Sequence, residues 1–247
     1  MDSAYIDINC DLGEGLGNES ELMPLISSCN IACGGHAGSK ETALEVSKLA
    51  SKYRVKVGAH PSYPDRENFG RVSMDIPKAD LIESIQKQMD GFKSILKKEN
   101  IPLNHIKAHG ALYNDTAKDQ VLAETFLEAL DAYKKEVFLY IPYKSVIAQQ
   151  ADRHDFRIKF EAFADRNYNA DLSLVSRKLP DAVIKDPQEV LTHLLHMVEK
   201  GLVKTSGGDK IPIRAETYCV HGDTPSALQI LTYLSEKLPK ANIHIKK

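Results

Sequence analysis

The feature that most constrains this chain is a repeated alternation of short β-rich segments with longer helical ones. Tyr5–Cys10, Cys29–Cys33, Val55–Ala59, His105–Ala108, Val137–Ile141, Ile158–Ala162 and Thr217–Val220 read as strands. Helical patterns separate most of them: Lys40–Tyr53, Lys78–Lys98, Asp119–Ala132 and Pro187–Lys200. In the second, Leu81, Ile85, Met89, Phe92 and Leu96 recur at helical spacing. Such alternation requires parallel strands joined by crossover helices, as an open doubly wound sheet or a closed barrel. Leu202–Thr205 and Ile211–Arg214, joined by Ser206-Gly207-Gly208-Asp209, read instead as a β-hairpin inserted in that pattern, and Pro225–Lys237 as a last amphipathic helix. No linker or internal repeat divides the chain, so residues 1–247 are expected to form one α/β domain.

Composition removes several classes of function. With 32 Lys+Arg against 34 Asp+Glu, the chain has no surplus of positive charge to hold a polyanion, and nucleic acid is excluded as a main partner. The amino terminus is polar and acidic, unlike a secretory signal, and the most apolar run, Val137–Tyr143, falls far short of the ~20 residues that span a membrane. A soluble, cytoplasmic protein is expected. The four cysteines lie in or beside apolar strand segments, where reduced Cys behaves as a small hydrophobe. Cys29-x3-Cys33 has no second Cys pair to complete a structural zinc site.

Side chains alternate faces along a strand, and the polar residues keep to one parity. Asp7, Asn9 and Asp11 share a face opposite Ile6, Ile8 and Cys10. His105, Lys107 and His109 oppose Ile106 and Ala108, and Lys159, Glu161 and Phe163 oppose Phe160 and Ala162. Polar groups also gather where strands end, the place at which α/β barrels and open sheets build their sites. His36, His60, His109 and His221 follow four different strands, each beside Gly or Ala, and this equivalence points to one shared site. Inward polar groups on several strands fit a closed barrel better than a flat sheet.

At these positions the chain resembles the LamB/YcsF family of lactam-utilization proteins. The resemblance rests on Asn9-Cys10-Asp11-Leu12-Gly13-Glu14-Gly15, Asn30-Ile31-Ala32-Cys33-Gly34 with His36-Ala37-Gly38, and Gly58-Ala59-His60-Pro61-Ser62-Tyr63-Pro64-Asp65. It continues through His109-Gly110-Ala111-Leu112-Tyr113-Asn114, Phe163-Ala164-Asp165-Arg166 and Cys219-Val220-His221-Gly222-Asp223-Thr224-Pro225. Departures are Gly35 where the family usually has Phe, Ser39 for Asp, Ala108 for the Pro before His-Gly, and Val72 where a second Arg often follows Arg71. The resemblance implies an irregular seven-stranded (β/α) barrel similar to polysaccharide deacetylases. It also implies a subunit of an ATP-dependent 5-oxoprolinase, working with two further subunits to open 5-oxoproline to L-glutamate. ATP, with its Mg2+, would then be co-substrate. Gly34–Lys40 does not match a phosphate loop, because Ser39 stands where the second Gly belongs, so the sequence does not say which subunit binds ATP.

Roles follow from position. Asp11 is the expected general base or water-orienting group, unless it caps a helix in a capping box with Glu14. Lys107 either holds a substrate carboxylate or phosphate or forms a buried ion pair with Glu161, which is otherwise a second acid-base group. With His60 and His109 these make the expected catalytic set. Asn9, Glu14, Asn30, His36, Asp165, Arg166, His221 and Asp223 are expected to contact substrate, Arg166 as an anion ligand. Two other readings remain: a metal-dependent deacetylase-like hydrolase built on Asp11, His36 and His60, and a non-catalytic lactam-binding subunit. Lys107 and Arg166 near the same cavity argue against a tightly bound transition metal, since fixed cations repel one.

Overall fold

A computed structural model describes residues 3–247. In chain order the elements are β1 (Ala4–Leu12), α1 (Glu19–Leu22), β2 (Ser28–Ala32), α2 (Lys40–Lys52), β3 (Lys56–His60), α3 (Lys78–Lys98) and β4 (Leu103–Ile106). There follow α4 (Gly110–Thr116), α5 (Gln120–Ala129), β5 (Phe138–Pro142), α6 (Val146–Arg153), β6 (Arg157–Phe163) and α7 (Pro187–Lys200). The chain ends with β7 (Leu202–Lys204), β8 (Lys210–Pro212), β9 (Thr217–Cys219), α8 (Ala227–Lys237) and β10 (Ile243–Ile245).

Strands β1 to β6 and β9 pair in parallel and close on themselves, because β9 bonds both β6 and β1. This is the seven-stranded α/β barrel that the family resemblance implies and the inward polar groups favour, in place of the open sheet that the alternation alone also allows. The antiparallel pair β7–β8 is the hairpin insertion. One further strand, β10, pairs with Ala4–Ile6 at the amino end of β1. No helix among the described residues is long and apolar enough to cross a membrane.

Local sequence sets the helix boundaries. Ser39, Asp119, Ser145 and Asp186 accept backbone N–H bonds at the starts of α2, α5, α6 and α7, and Gly201 ends α7 at a φ of 60°. The residue where the family usually has Asp, Ser39, thus serves as a helix cap. Buried Leu81, Ile85, Met89, Phe92 and Leu96 line one face of α3. A side chain on Gly35 would start 2.4 Å from Ser62 Oγ and 2.5 Å from Gln88 Oε1, so these two fill the space left by the missing Phe.

The two parities of the strands make two different interiors. Ile6, Ile8 and Cys10, with their equivalents on other strands, form an apolar layer beneath the helices. The barrel axis is instead a hydrogen-bonded polar column. At its base Asp7 accepts from Ser28 (2.7 Å), Thr217 (2.9 Å) and Lys56 (2.9 Å). Above it Asn9 donates to Thr217 and Glu161, both at 2.8 Å, and Asn30 donates to Asn9 and Asp11, both at 2.7 Å. The His105 ring crosses beside Asn30 Oδ1 at 2.8 Å and stacks on Tyr140. Buried polar groups are costly only when unpaired, and this ladder pairs most of those it carries inward, Glu161 Oε2 and the Tyr140 hydroxyl being the exceptions.

Candidate active site

The polar column ends in a cavity of about 410 Å³ at the carboxyl ends of the strands, lined in part by Asp11, Glu14, His60, Lys107, His109 and His221. Its floor is Lys107. The ammonium group lies 3.0 Å from Asp11 Oδ1, 2.9 Å from Glu161 Oε1 and 3.2 Å from Cys219 Sγ, and sits over the Phe163 ring. Burial opposes its charge, yet Asp11, Cys219 and Glu161 more than compensate and raise its pKa well above the usual lysine value. Burial likewise opposes ionisation of Asp11, and Lys107 and His60 overcome it, holding the carboxylate well below its ordinary range. Asp11 lies within a strand with no helix directly after it, so the capping-box expectation is corrected. Lys107 makes the expected buried ion pair with Glu161 and also lines the cavity.

Beside Asp11 the two histidines form a pair. His60 Nδ1 contacts the Lys107 carbonyl at 2.8 Å and His109 Nε2 the Phe69 carbonyl at 2.9 Å. Carbonyls only accept, so both outer nitrogens carry hydrogen. The inner nitrogens, His60 Nε2 and His109 Nδ1, are 3.0 Å apart, and a hydrogen bond between them needs one more proton. Burial and the charge of His60 push the His109 pKa well down, and His60 Nε2 also lies 3.6 Å from Asp11 Oδ1. Glu14 Oε1 approaches His109 Nδ1 at 3.4 Å and His36 Nε2 at 3.1 Å. Burial and the charges of Asp11 and Asp223 raise its pKa well above the usual glutamate value.

Opposite stands His221. Its Nδ1 and backbone N–H both bind the Asp165 carboxylate, at 2.9 and 3.0 Å, and Thr224 Oγ1 donates to the same group at 2.9 Å. Although burial opposes it, His221 and these hydrogen bonds hold the Asp165 pKa down to about 2. With Nδ1 engaged, His221 has Nε2 left for the cavity.

Several residues expected to touch substrate line no part of this cavity. Asn9 and Asn30 lie under its floor, where they orient Glu161 and Asp11. His36 stacks flat on His109, 3.5 Å between ring centres, and Asp165 orients His221. Glu161, expected among the catalytic groups, is fully enclosed and acts on Lys107 alone among the cavity's cations. Arg166 does line the cavity, but its Nε and Nη2 donate to the carbonyls of Ala182 and Val175, so its role as an anion ligand is largely replaced by a loop-bracing one. Missing from the sequence reading are Arg71, Tyr113 and Arg177, which line the cavity from loops or a helix where no strand parity applies.

Two clusters of donor groups of the kind that bind cations are engaged internally. Asp11, Cys219 and His221 bring donor atoms within 4.8 Å of one another, as do Glu14, His36 and His109. Lys107 already supplies the positive charge to Asp11 and Cys219. The trio of Asp11, His36 and His60 does not assemble, because His36 Nε2 turns to Glu14.

The profile of the LamB/YcsF family matches residues 6–247. The chain belongs to the LamB/YcsF family. A family relative from Thermococcus sibiricus, named as the A subunit of 5-oxoprolinase, is 40% identical over 97% of this chain and 96% of its own. A crystal structure of a lactam utilization protein from Thermus thermophilus superposes with a TM-score of 0.91 at 34% identity, covering 98% of this chain and 99% of that one. A GH113 β-1,4-mannanase, at 13% identity and a TM-score of 0.52 over 94% of this chain and 99% of its own, shares the fold alone.

Proposed function

We propose that this chain is the A subunit of an ATP-dependent 5-oxoprolinase, opening 5-oxo-L-proline to L-glutamate together with two further subunits. The 40% identity to a relative of that name, over nearly all of both chains, carries the reading. The cavity supplies what ring opening needs. Ionised Asp11 orients a water toward the ring carbonyl carbon, and the His60–His109 pair, whose facing Nε2 and Nδ1 can share one proton between them, takes the proton that water loses. As the new C–O bond forms and the ring C–N bond breaks, the electron pair goes to nitrogen, which takes its proton from His221 Nε2. Asp165 holds that ring in position. Lys107 steadies negative charge at the floor.

A simple five-membered lactam resists irreversible hydrolysis, and glutamate tends to recyclise. Phosphorylating the lactam oxygen at the expense of ATP, with ADP as leaving group, would make the carbon a better electrophile; ring opening then leaves the new carboxyl as an acyl phosphate, from which a second water releases inorganic phosphate. No ATP contact is assigned to this chain, and the supply of ATP favours a cytoplasmic location. A tightly bound transition metal is not part of this reading, because the Lys107 ammonium already pairs with the Asp11 carboxylate and the Cys219 thiol. Only the Mg2+ that accompanies ATP is required.

The test is reconstitution. The purified chain with its two partner subunits should release glutamate from 5-oxoproline only when MgATP is present, and after chelation Mg2+ alone should restore activity. Glutamate formed without ATP, or deacetylation of N-acetylated sugars, would overturn the assignment, and stoichiometric zinc required for turnover would establish the metal-dependent alternative. If His60→Ala and His221→Ala chains sustain full turnover, this chain only binds the lactam, and the chemistry lies elsewhere.

A further inference from the structure

Five cationic side chains line the cavity, and they are not equally available. Lys107 is fully engaged at the floor by Asp11, Glu161 and Cys219. Arg166 is buried and spends its Nε and Nη2 on two backbone carbonyls. Lys178 lies on the same segment as Arg177, one residue further along. Arg71 and Arg177 come from different loops, after β3 and after β6, yet converge on a single atom. Arg71 Nη2 pairs closely with Asp223 Oδ2, and Arg177 Nη1 lies 3.5 Å from the same oxygen.

We propose that Arg71 and Arg177, fixed by Asp223, form the carboxylate-recognition site of the cavity and select a cyclic amide that bears an acidic group beside its ring nitrogen.

Two guanidinium groups against one carboxylate leave one positive charge uncompensated at the mouth. Each guanidinium offers five N–H donors in a planar fork suited to a carboxylate, and the pairing with Asp223 uses only part of them. The side chains remain 37% and 29% exposed, so donors still face the cavity space. Asp223 acts as an anchor. It draws two flexible side chains from separate loops to one point before any ligand arrives, which lowers the entropic cost of binding. The Arg71 guanidinium is steadied further by lying over the Phe69 ring, 4.8 Å from its centre. Phe69 also ties this loop to the reacting end of the cavity, because its carbonyl accepts from His109 Nε2. Asp223 is two residues from His221, so the carboxylate site and the group that protonates the ring nitrogen share one loop. In a five-membered lactam carrying a carboxylate on the carbon next to nitrogen, those two features are likewise adjacent. An anchored charge at the mouth would thus hold the ring nitrogen toward His221.

This inference rests on the 5-oxoprolinase reading for its substrate, and two measurements separate the two. Isothermal titration of 5-oxoproline, its uncharged carboxamide and 2-pyrrolidinone into the chain alone reads recognition without catalysis. Wild type should bind the acid at least about tenfold more tightly than either neutral lactam, and the preference should vanish in the double variant Arg71→Gln/Arg177→Gln. In the reconstituted complex, each single variant should raise KM for 5-oxoproline at least about tenfold while kcat changes less, with Arg71→Lys recovering part of the loss. Thermal unfolding of the variants checks that they are folded. An acid preference unchanged in the folded double variant, or a fall in kcat at constant KM, would overturn the carboxylate site. If the reconstituted wild-type complex makes no glutamate while the chain still selects the acid, the functional reading fails and the binding site stands.

Discussion

Burying an ammonium group costs several kcal/mol unless it is paired, and Lys107 is surrounded by Asp11, Glu161 and the Cys219 thiol. Removing it would leave two buried carboxylates facing each other without a counter-charge. Lys107→Ala should therefore cost about 3–5 kcal/mol in denaturant unfolding as well as activity. His60→Ala should separate the two effects. It empties no apolar core, so turnover should disappear while stability falls by only ~1–2 kcal/mol. A comparable stability loss for both variants would mean that His60 is part of the scaffold rather than of the chemistry.

At the scale of elements, strands β3 and β4 meet with no room for a side chain at Gly58. The β3–β4 register shifts at Gly58, and a Cβ there would lie 2.1 Å from His105 Nε2. The ring has no free space to retreat into, because it stacks on Tyr140 and bonds Asn30. Gly58→Ala should destabilise the fold by ~1–3 kcal/mol, measured by unfolding midpoint, and disturb Asn30 and through it Asp11. Gly91, in the middle of α3 with nothing near a Cβ, is the control: Gly91→Ala should be neutral or stabilising.

How far each element was legible follows from what buries it. The bounds Lys78–Lys98 and Pro187–Lys200 can be read directly, because each helix lays one apolar stripe on the barrel and keeps a polar outer face. Helix α4 escapes that reading. It has seven residues, and with Ala111, Leu112, Tyr113 and Thr116 all buried it lacks a regular polar side. At eight residues α6 is too short for a window, and Ile243-His244-Ile245 is three residues of alternation at a chain end. The site divides in the same way. Asp11, Lys107 and Glu161 could be grouped because strand parity is strict. Arg71 and Arg177 stand on loops, where neighbours in space have no periodic relation in sequence.

Across the whole molecule, the polar interior makes stability depend on pH. Burial keeps His36, His105 and His193 neutral, with pKa values lowered to about 2, about 3 and about 4. Below the unfolded value of ~6.5 the unfolded chain binds protons that the folded one does not, so acid favours unfolding. Their stabilising effect is complete above ~6.5 and is lost as pH falls toward those lower values, at up to ~1.4 kcal/mol per pH unit for each ring. Asp165, lowered to about 2, acts in the same direction but only below ~3.9. Guanidinium unfolding midpoints should therefore drop between pH 7 and pH 5, and His105→Gln should flatten that slope. A midpoint constant over this range would show that the rings protonate in place.

The closing of the barrel also governs when the fold can exist. Strand β1 is made before the other strands of the barrel, yet besides β2 its partners are β9 and β10, which are separated from it by some two hundred residues. A nascent chain still tethered at its carboxyl end therefore carries an open sheet with two unpaired edges, and the loop entropy of joining them is met only at the last step. Until residues 217–219 and 243–245 have left the ribosome, Ile6 and Ile8 have no finished layer to join, and the growing chain is most open to misassociation just before the barrel closes.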